Sequence, residues 1–381
     1  MQSNKDTHVA KSAFLRKFAA IKHHNNMHRI LALNPGSTST KIAVYEDRKP
    51  LFELSITHTA DELKAFTSLN EQYPFRRDLI IQQLQAHSVS ICELSAVVGR
   101  GGLLRPIASG VYEVNDKMLQ DLQEGRYGQH ASNLGAPIAR SIADSASSAC
   151  RAFIADPVVV DEMQEVARIS GLPQLPRRSV FHALNQKAVA RKYADTCGSP
   201  YEKLNLIIAH LGGGISVSAH QFGKVIDTNQ ALGGAGPFSP ERAGSIDAEA
   251  LLRMCFSGTY TESELKKLLI GRGGLVAHLG TNNLQEALAR SEAGDRKASL
   301  VIEAMVYNIA KEIGSMAVAL GHKADAIILT GGIAHNQAVT QRIEAMVSFL
   351  APVVVFPGED ELEALAMSGL RVLQGEAPQK Y

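Results

Sequence analysis

This 381-residue chain has little excess charge, few cysteines and no long apolar run. Its 39 basic and 38 acidic residues leave a net charge of +1. A protein that grips a nucleic-acid backbone carries a large positive excess, so that class is excluded. No stretch approaches the roughly 18–20 continuous apolar residues that a membrane-spanning helix needs. Cys92, Cys150, Cys197 and Cys255 are far apart and none forms a CxxC pair. That spacing argues against a zinc site or a small disulfide scaffold, and it fits a reducing cytoplasm. What is present is 45% apolar residues in a chain long enough for two large α/β domains.

Charge is unevenly placed. Lys5, Lys11, Arg16, Lys17 and Lys22 stand against Asp6 alone before residue 27, a local net of +4, which leaves the remainder at about −3. This segment has no apolar core of the secretory type. Residues 1–26 are therefore expected to be a basic, disordered extension, with Met27 a candidate functional start.

From Arg29 the pattern sharpens. Ile30-Leu31-Ala32-Leu33 reads as a buried strand, Asn34 to Lys41 (NPGSTSTK) as a tight turn, and Ile42-Ala43-Val44-Tyr45 as a second strand. The same sequence of elements returns at Leu206–Ala209, the turn His210-Leu211-Gly212-Gly213-Gly214, and Ile215–Ser218. Asn34 and His210 fall at equivalent positions about 176 residues apart, which suggests a duplicated domain with a cleft between its halves. A third apolar run, Ala326–Leu329, also ends in glycines, Gly331 and Gly332. Before it, Ile302, Met305, Ile309, Ile313, Met316 and Leu320 mark one face of a long helix, and Gly321 is a candidate left-handed cap. Helical stretches are expected near 131–150, 184–194 and 246–256, and Val158-Val159-Val160 reads as strand. The class is α/β.

Glycine- and serine-rich turns let backbone N–H groups converge on an anion, and Ser37, Thr38, Ser39 and Lys41 add hydroxyls and charge. Gly212, Gly213 and Gly214 leave the second turn bare enough for close approach. Neither turn is a Walker P-loop. One such turn is usually only a hairpin, but three in a duplicated frame point to nucleotide phosphates.

These stretches resemble the acetate and butyrate kinase family, within the superfamily of acetate and sugar kinases, heat-shock chaperones and actin. The resemblance extends through Gly99-Arg100-Gly101-Gly102-Leu103, His130–Gly135, Phe181–Asn185, Glu241–Ser245, Gly273-Gly274-Leu275 and Thr330–Asn336. The forms NPGSTSTK and GRGGL are similar to the butyrate-kinase branch. The resemblance implies duplicated ribonuclease H-like domains of the actin-like ATPase type around a cleft. It places an N-terminal domain at 27–185 and a nucleotide-binding domain at 186–359, with a C-terminal helix of about 360–381 packing back on the first. It also implies a cytoplasmic enzyme, a homodimer or higher oligomer, with a small carboxylate and ATP/ADP as partners. The implied reaction is direct, reversible transfer of phosphoryl from ATP to butyrate with Mg²⁺, other short acids staying open.

By the same resemblance Arg242 and His182 are catalytic, and Asn34, Ser37, Ser39, Lys41, His210 and Gly212–Gly214 surround phosphate. Gly331, Gly332, Asn336 and Asn283 would approach adenosine. Asp156 and one of Glu359, Asp360 and Glu361, with Glu361 preferred, would face magnesium. The acetate kinases' substrate arginine aligns with apolar Val97 here, and Arg100 is the candidate replacement. Two rivals remain from the residues: a nucleotide-driven conformational protein of the actin and chaperone type, and a sugar or polyol kinase.

Overall fold

The computed structural model describes residues 27–233 and 235–381, so the basic segment 1–26 lies outside the described residues. Strands β1 (Arg29–Pro35), β2 (Ser39–Glu46) and β3 (Lys49–Thr57) form an antiparallel meander, and β4 (Leu94–Arg100) then joins β1 in parallel. With β5 (Val111–Glu113) and β6 (Arg151–Ala155) the sheet runs β3-β2-β1-β4-β6-β5. The second sheet holds β7 (Asn205–Leu211), β8 (Ile215–Gln221), β9 (Lys224–Thr228), β10 (Ala326–Gly331) and β11 (Val353–Pro357), in the order β9-β8-β7-β10-β11. Setting aside the short edge strand β5, the two orders are the same. The repeat read from two turns thus extends to whole sheets.

Their hydrophobic patterns explain the difference between hairpins and crossovers. β1 and β7 are buried along nearly their whole length because helices cover both faces. Helix α1 (Gln72–Ala86) links β3 to β4, and α2 (Gly135–Ala146) precedes β6. After α3 (Ala183–Cys197), the second sheet is backed by α4 (Arg296–Leu320) and α5 (Gln337–Val347), and α6 (Glu361–Leu373) follows β11. Every member of the stripe from Ile302 to Leu320 is buried, and Gly321 closes α4 in the left-handed conformation at φ 64°.

Two helices cross between the halves. α3 packs on β7 and β10 of the second sheet, whereas α6 returns to β1 and β4 of the first. Leu362, Leu365 and Leu370 of α6 share a core with Ile30, Val98 and Phe153. Burying side chains of this size contributes about 1.5–3 kcal/mol each, enough to fix α6 and the acidic turn at its start. Among the described residues no helix is long and apolar enough to cross a membrane.

One expected strand is absent. Val158 and Val159 lie in a turn, and Val160 makes only an isolated bridge to Ile107. The strand ends earlier, at Ala155, because Asp156 takes a positive φ of 36° and Pro157 follows it. Pro157 then accepts from the Val160 N–H at 2.9 Å, closing a turn of apolar residues.

Candidate active site

The first turn is built from behind by a residue that sequence reading missed. Arg76, fully buried on α1, donates to the carbonyls of Gly36 (2.7 Å), Ser37 (3.1 Å) and Ser39 (3.2 Å). It also donates to Thr40 Oγ1 at 3.2 Å and Gln72 Oε1 at 2.8 Å. A trans peptide points its N–H opposite to its carbonyl. With the Gly36 and Ser37 carbonyls turned to Arg76, the N–H groups of Ser37 and Thr38 face the open side. Such a concave pair is an anion cradle. No carboxylate pairs with Arg76 among the described residues, and burial lowers its pKa to about 10, which leaves it charged at neutral pH. Arg76, next to Arg77 in the run Tyr73–Leu79, gives no sequence signal of this role, which arises only when α1 docks behind the turn.

The second turn is held by contact with its own arginine. The Gly212 N–H donates to the Gly214 carbonyl at 3.1 Å, and Ser239 Oγ donates to the Gly213 carbonyl at 2.5 Å. A Cβ on Gly214 would lie 2.0 Å from Arg242 Nη1, so the backbone lies directly against the guanidinium. Arg242 donates to the Ala231 carbonyl and forms no ion pair among the described residues. Glu241 instead accepts from Asn282 Nδ2 at 2.7 Å. Burial lowers the Arg242 pKa while Glu241 partly restores it, and a guanidinium this basic keeps its charge. A half-buried arginine with no carboxylate partner suits an anion.

Between the turns two imidazoles stack, His182 on His210, with centroids 3.8 Å apart and planes 11° from parallel. His182 precedes α3 and has Ser216 Oγ 2.8 Å from Nδ1. Burial first, then the neighbouring His210 and the positive fields of Arg242 and Arg100, hold its pKa well below the usual histidine range, so it is neutral. Arg242 and Arg100 thus both lie within electrostatic reach of His182. His210 Nδ1 lies 2.8 Å from Asn185 Oδ1, and its Nε2 lies 3.6 Å from Glu359 Oε1.

Arg100 reaches across to the start of α6. Its Nη1 is 3.1 Å from Glu361 Oε2 and 3.4 Å from Asn34 Oδ1, and Asn34 Nδ2 also donates to Glu361 Oε2. Lys41 and Arg100 both help hold the Glu359 carboxyl below its ordinary pKa, after the larger effect of its contact with His210. Ser37 is exposed and Ser39 half-buried at the first turn.

Other expected residues are employed differently. Asp156 is buried, and its carboxylate accepts from Ser109 Oγ (2.6 Å), the Gly110 N–H (2.8 Å) and Arg191 Nη1 (3.4 Å). It shares no hydrogen-bond partner with Glu361, and among the described residues no group of three His, Cys, Asp or Glu side chains has metal-holding geometry. Asn283 and Asn336 are helix N-caps, accepting from Gln285 N–H at 2.9 Å and Val339 N–H at 3.0 Å. Gly331 is needed for the turn itself: φ is 89°, and a Cβ would lie 2.4 Å from the Leu211 carbonyl oxygen. Gly332 faces open space, where a ligand can approach its backbone.

Comparison with known proteins agrees with this geometry. The Acetokinase family model matches residues 173–354. Butyrate kinase 2 of Clostridium acetobutylicum is 52% identical over 354 residues, covering 93% of this chain and 99% of that one. Butyrate kinase 1 of the same organism is 51% identical over the same length and shares. The crystal structure of Porphyromonas gingivalis acetate kinase superposes with a TM-score of 0.75 at 19% identity, over 91% of this chain and all of that one, so the actin-like ATPase fold is shared. Identity at this level over nearly the whole chain leaves no ambiguity of descent, and the protein belongs to the acetokinase family.

Proposed function

We propose that the protein transfers the γ-phosphoryl group of ATP to butyrate, reversibly, to give butyryl phosphate and ADP. The observation that carries this reading is Arg242, which has no carboxylate partner among the described residues, lying against the Gly212–Gly214 turn and near enough to a neutral His182 to lower its pKa. The identity to butyrate kinases over 93% of the chain supports the choice of acceptor. Neither a chaperone-like switch nor a sugar kinase is favoured by relatives of this kind.

Phosphoryl transfer asks a protein for alignment and for positive charge where phosphoryl oxygens spread their charge. Arg242 is assigned to the transferring group, which its fork can contact through two oxygens. Arg100 is assigned to the butyrate carboxylate, exchanging part of its contact with Glu361 for the substrate. His182 donates a hydrogen bond to a phosphoryl oxygen and is not a nucleophile. The turns of Gly36–Ser39 and Gly212–Gly214 hold the flanking phosphates through backbone N–H groups, and Gly331 and Gly332 offer backbone to adenosine. Closure of the halves would exclude water that hydrolyses acyl phosphates.

The donors at the start of α6 fit magnesium. Glu361 uses Oε2 for both Asn34 and Arg100, and its Oε1 accepts no hydrogen bond among the described residues. Glu361 would hold the ion through Oε1, and a bound Mg²⁺ supplies neutralising charge on phosphate oxygens. Asp156 fits less well, since Ser109, Gly110 and Arg191 already occupy its carboxylate. A cytoplasmic location and a homo-oligomeric enzyme complete the reading.

The test is to incubate the protein with ATP, Mg²⁺, hydroxylamine and a panel of straight and branched acids of two to six carbons, with polyols alongside. Butyryl hydroxamate and stoichiometric ADP are expected, with kcat/KM highest at or near four carbons. Turnover of polyols alone, or ATP binding without turnover of any acid, contradicts the proposal.

A further inference from the structure

The hydrogen bonds behind His182 continue into the protein interior and can be followed donor by donor. Gln186, one helical turn after His182, donates from Nε2 to the Ser216 carbonyl at 3.1 Å and to Ser216 Oγ at 2.8 Å. A backbone carbonyl can only accept, so the orientation of this amide is settled and Gln186 Oε1 faces the other way. It faces His220 Nε2 at 2.9 Å, which must therefore be the protonated nitrogen. His220 Nδ1 then accepts from the Tyr201 hydroxyl at 2.7 Å. Ser216, Gln186 and His220 are fully buried and Tyr201 is nearly so. Burial keeps His220 neutral and the Tyr201 hydroxyl protonated.

At the near end, Ser216 Oγ accepts from Gln186 Nε2 and from the His182 backbone N–H at 3.4 Å, which fills both of its lone pairs. Its own proton has one place left to go, His182 Nδ1 at 2.8 Å. His182 therefore accepts at Nδ1 and carries its proton on Nε2. The elements make this register natural: Ser216 and His220 share a face of β8 at the two-residue period, and His182 and Gln186 share a face at the start of α3.

We propose that Ser216, Gln186, His220 and Tyr201 are positioning residues: a buried one-way chain, Tyr201 to His220 to Gln186 to Ser216 to His182, that locks His182 as the Nε2–H tautomer. This rests on the phosphoryl-transfer role given to His182, but the tautomer itself can be read without turnover. A histidine so locked is a hydrogen-bond donor at Nε2 and has no lone pair there with which to attack phosphorus.

The test uses the full chain with ¹⁵N-labelled histidine and long-range ¹H–¹⁵N correlation spectra, the His182 signals being assigned by their loss in His182→Asn. The expected wild-type spectrum at neutral pH shows a single His182 species protonated on Nε2. Gln186→Met frees a Ser216 lone pair, and the second tautomer should then appear. Ser216→Ala should lower kcat about 100-fold, Gln186→Met about 10-fold and Tyr201→Phe a few-fold, with the KM for butyrate unchanged in each. An Nδ1–H tautomer in the wild-type protein overturns the proposal, and so do folded Ser216→Ala and Gln186→Met proteins of wild-type kcat. Loss of all turnover with an unaltered Nε2–H spectrum in those variants would also overturn it, since the residues would then act other than through the tautomer. If the wild-type protein turns over no acid yet shows the locked tautomer, the functional reading fails and the chain stands.

Discussion

The two anion turns occupy the same place in two sheets of the same order, yet they are stabilised in opposite ways. The first, Gly36–Ser39, carries side chains and is drawn back by a buried cation behind it. The second, Gly212–Gly214, carries none and lies against a cation in front of it, Arg242. Duplication supplied one backbone shape, and the two copies have since divided the work. The rear-held turn can tolerate side-chain change at its tip, whereas the front-held turn cannot at Gly214, where an added Cβ would displace Arg242.

Removing the front cation should have the largest consequence. Arg242→Ala is expected to lower kcat about 10³-fold, of the order seen when a transition-state hydrogen-bond donor is lost, while thermal stability changes little; steady-state kinetics and a melting curve check both. Gly214→Ala comes next, because its Cβ would sit 2.0 Å from Arg242 Nη1. About a 100-fold loss in kcat/KM is expected from the displaced guanidinium. In the first turn, by contrast, Gly36→Ala meets nothing closer than the Ser39 carbonyl at 3.4 Å and should cost no more than a few-fold. Equal losses in the two alanine variants would dissolve the distinction between the turns.

Breaking the rear clamp should appear in stability and binding more than in the chemical step. Arg76→Met leaves the Gly36 and Ser37 carbonyls without their donor, while the Ser39 carbonyl keeps the Gly36 N–H at 2.8 Å. Unsatisfied groups of this kind cost about 1–3 kcal/mol each, offset by removal of a buried charge. A net loss of about 2–4 kcal/mol in denaturant unfolding is expected, with a raised KM for the phosphate-bearing substrates and kcat within about threefold.

The smallest effect is on pH. His58, beside Arg76 and 2.8 Å from Thr40 Oγ1, has its pKa lowered to about 4, by burial first and then by Arg76. His182 and His220 are also depressed. These groups bind protons in the unfolded chain below about pH 6.5 but not in the folded one. Stability contributed by their neutrality is thus present above pH 6.5 and falls as the pH drops from 6.5 towards 4. Unfolding midpoints measured across that window should decrease, and His58→Gln should flatten part of the decline. A rise in stability on acidification through that window would contradict these assignments.

Sequence reading reached the parts of this site that are local. A strand, a tight turn and a second strand are written in consecutive residues, so both turns and the long helix with its Gly321 cap were legible. Arg242 and His182 were legible through resemblance. Val158–Val160 misled because an apolar run does not reveal that Asp156 has already turned the chain. Asn283 and Asn336, expected near adenosine, also cap helix N-termini through Oδ1, a use that their position before an apolar run permits. Arg76, Ser216, Gln186 and His220 were invisible for one reason. Each acts through a partner 30 or more residues away, or through a network that only helix-on-sheet packing completes.

The roles proposed for both turns and both arginines require that one phosphoryl group pass directly between nucleotide and carboxylate. The stereochemical course at phosphorus tests this most directly, using ATP made chiral at its γ-phosphorus with oxygen isotopes and analysing the acyl phosphate formed from butyrate. A single in-line displacement, with His182 protonated on Nε2, predicts inversion of configuration. Retention would reveal a phosphorylated protein intermediate and contradict the account.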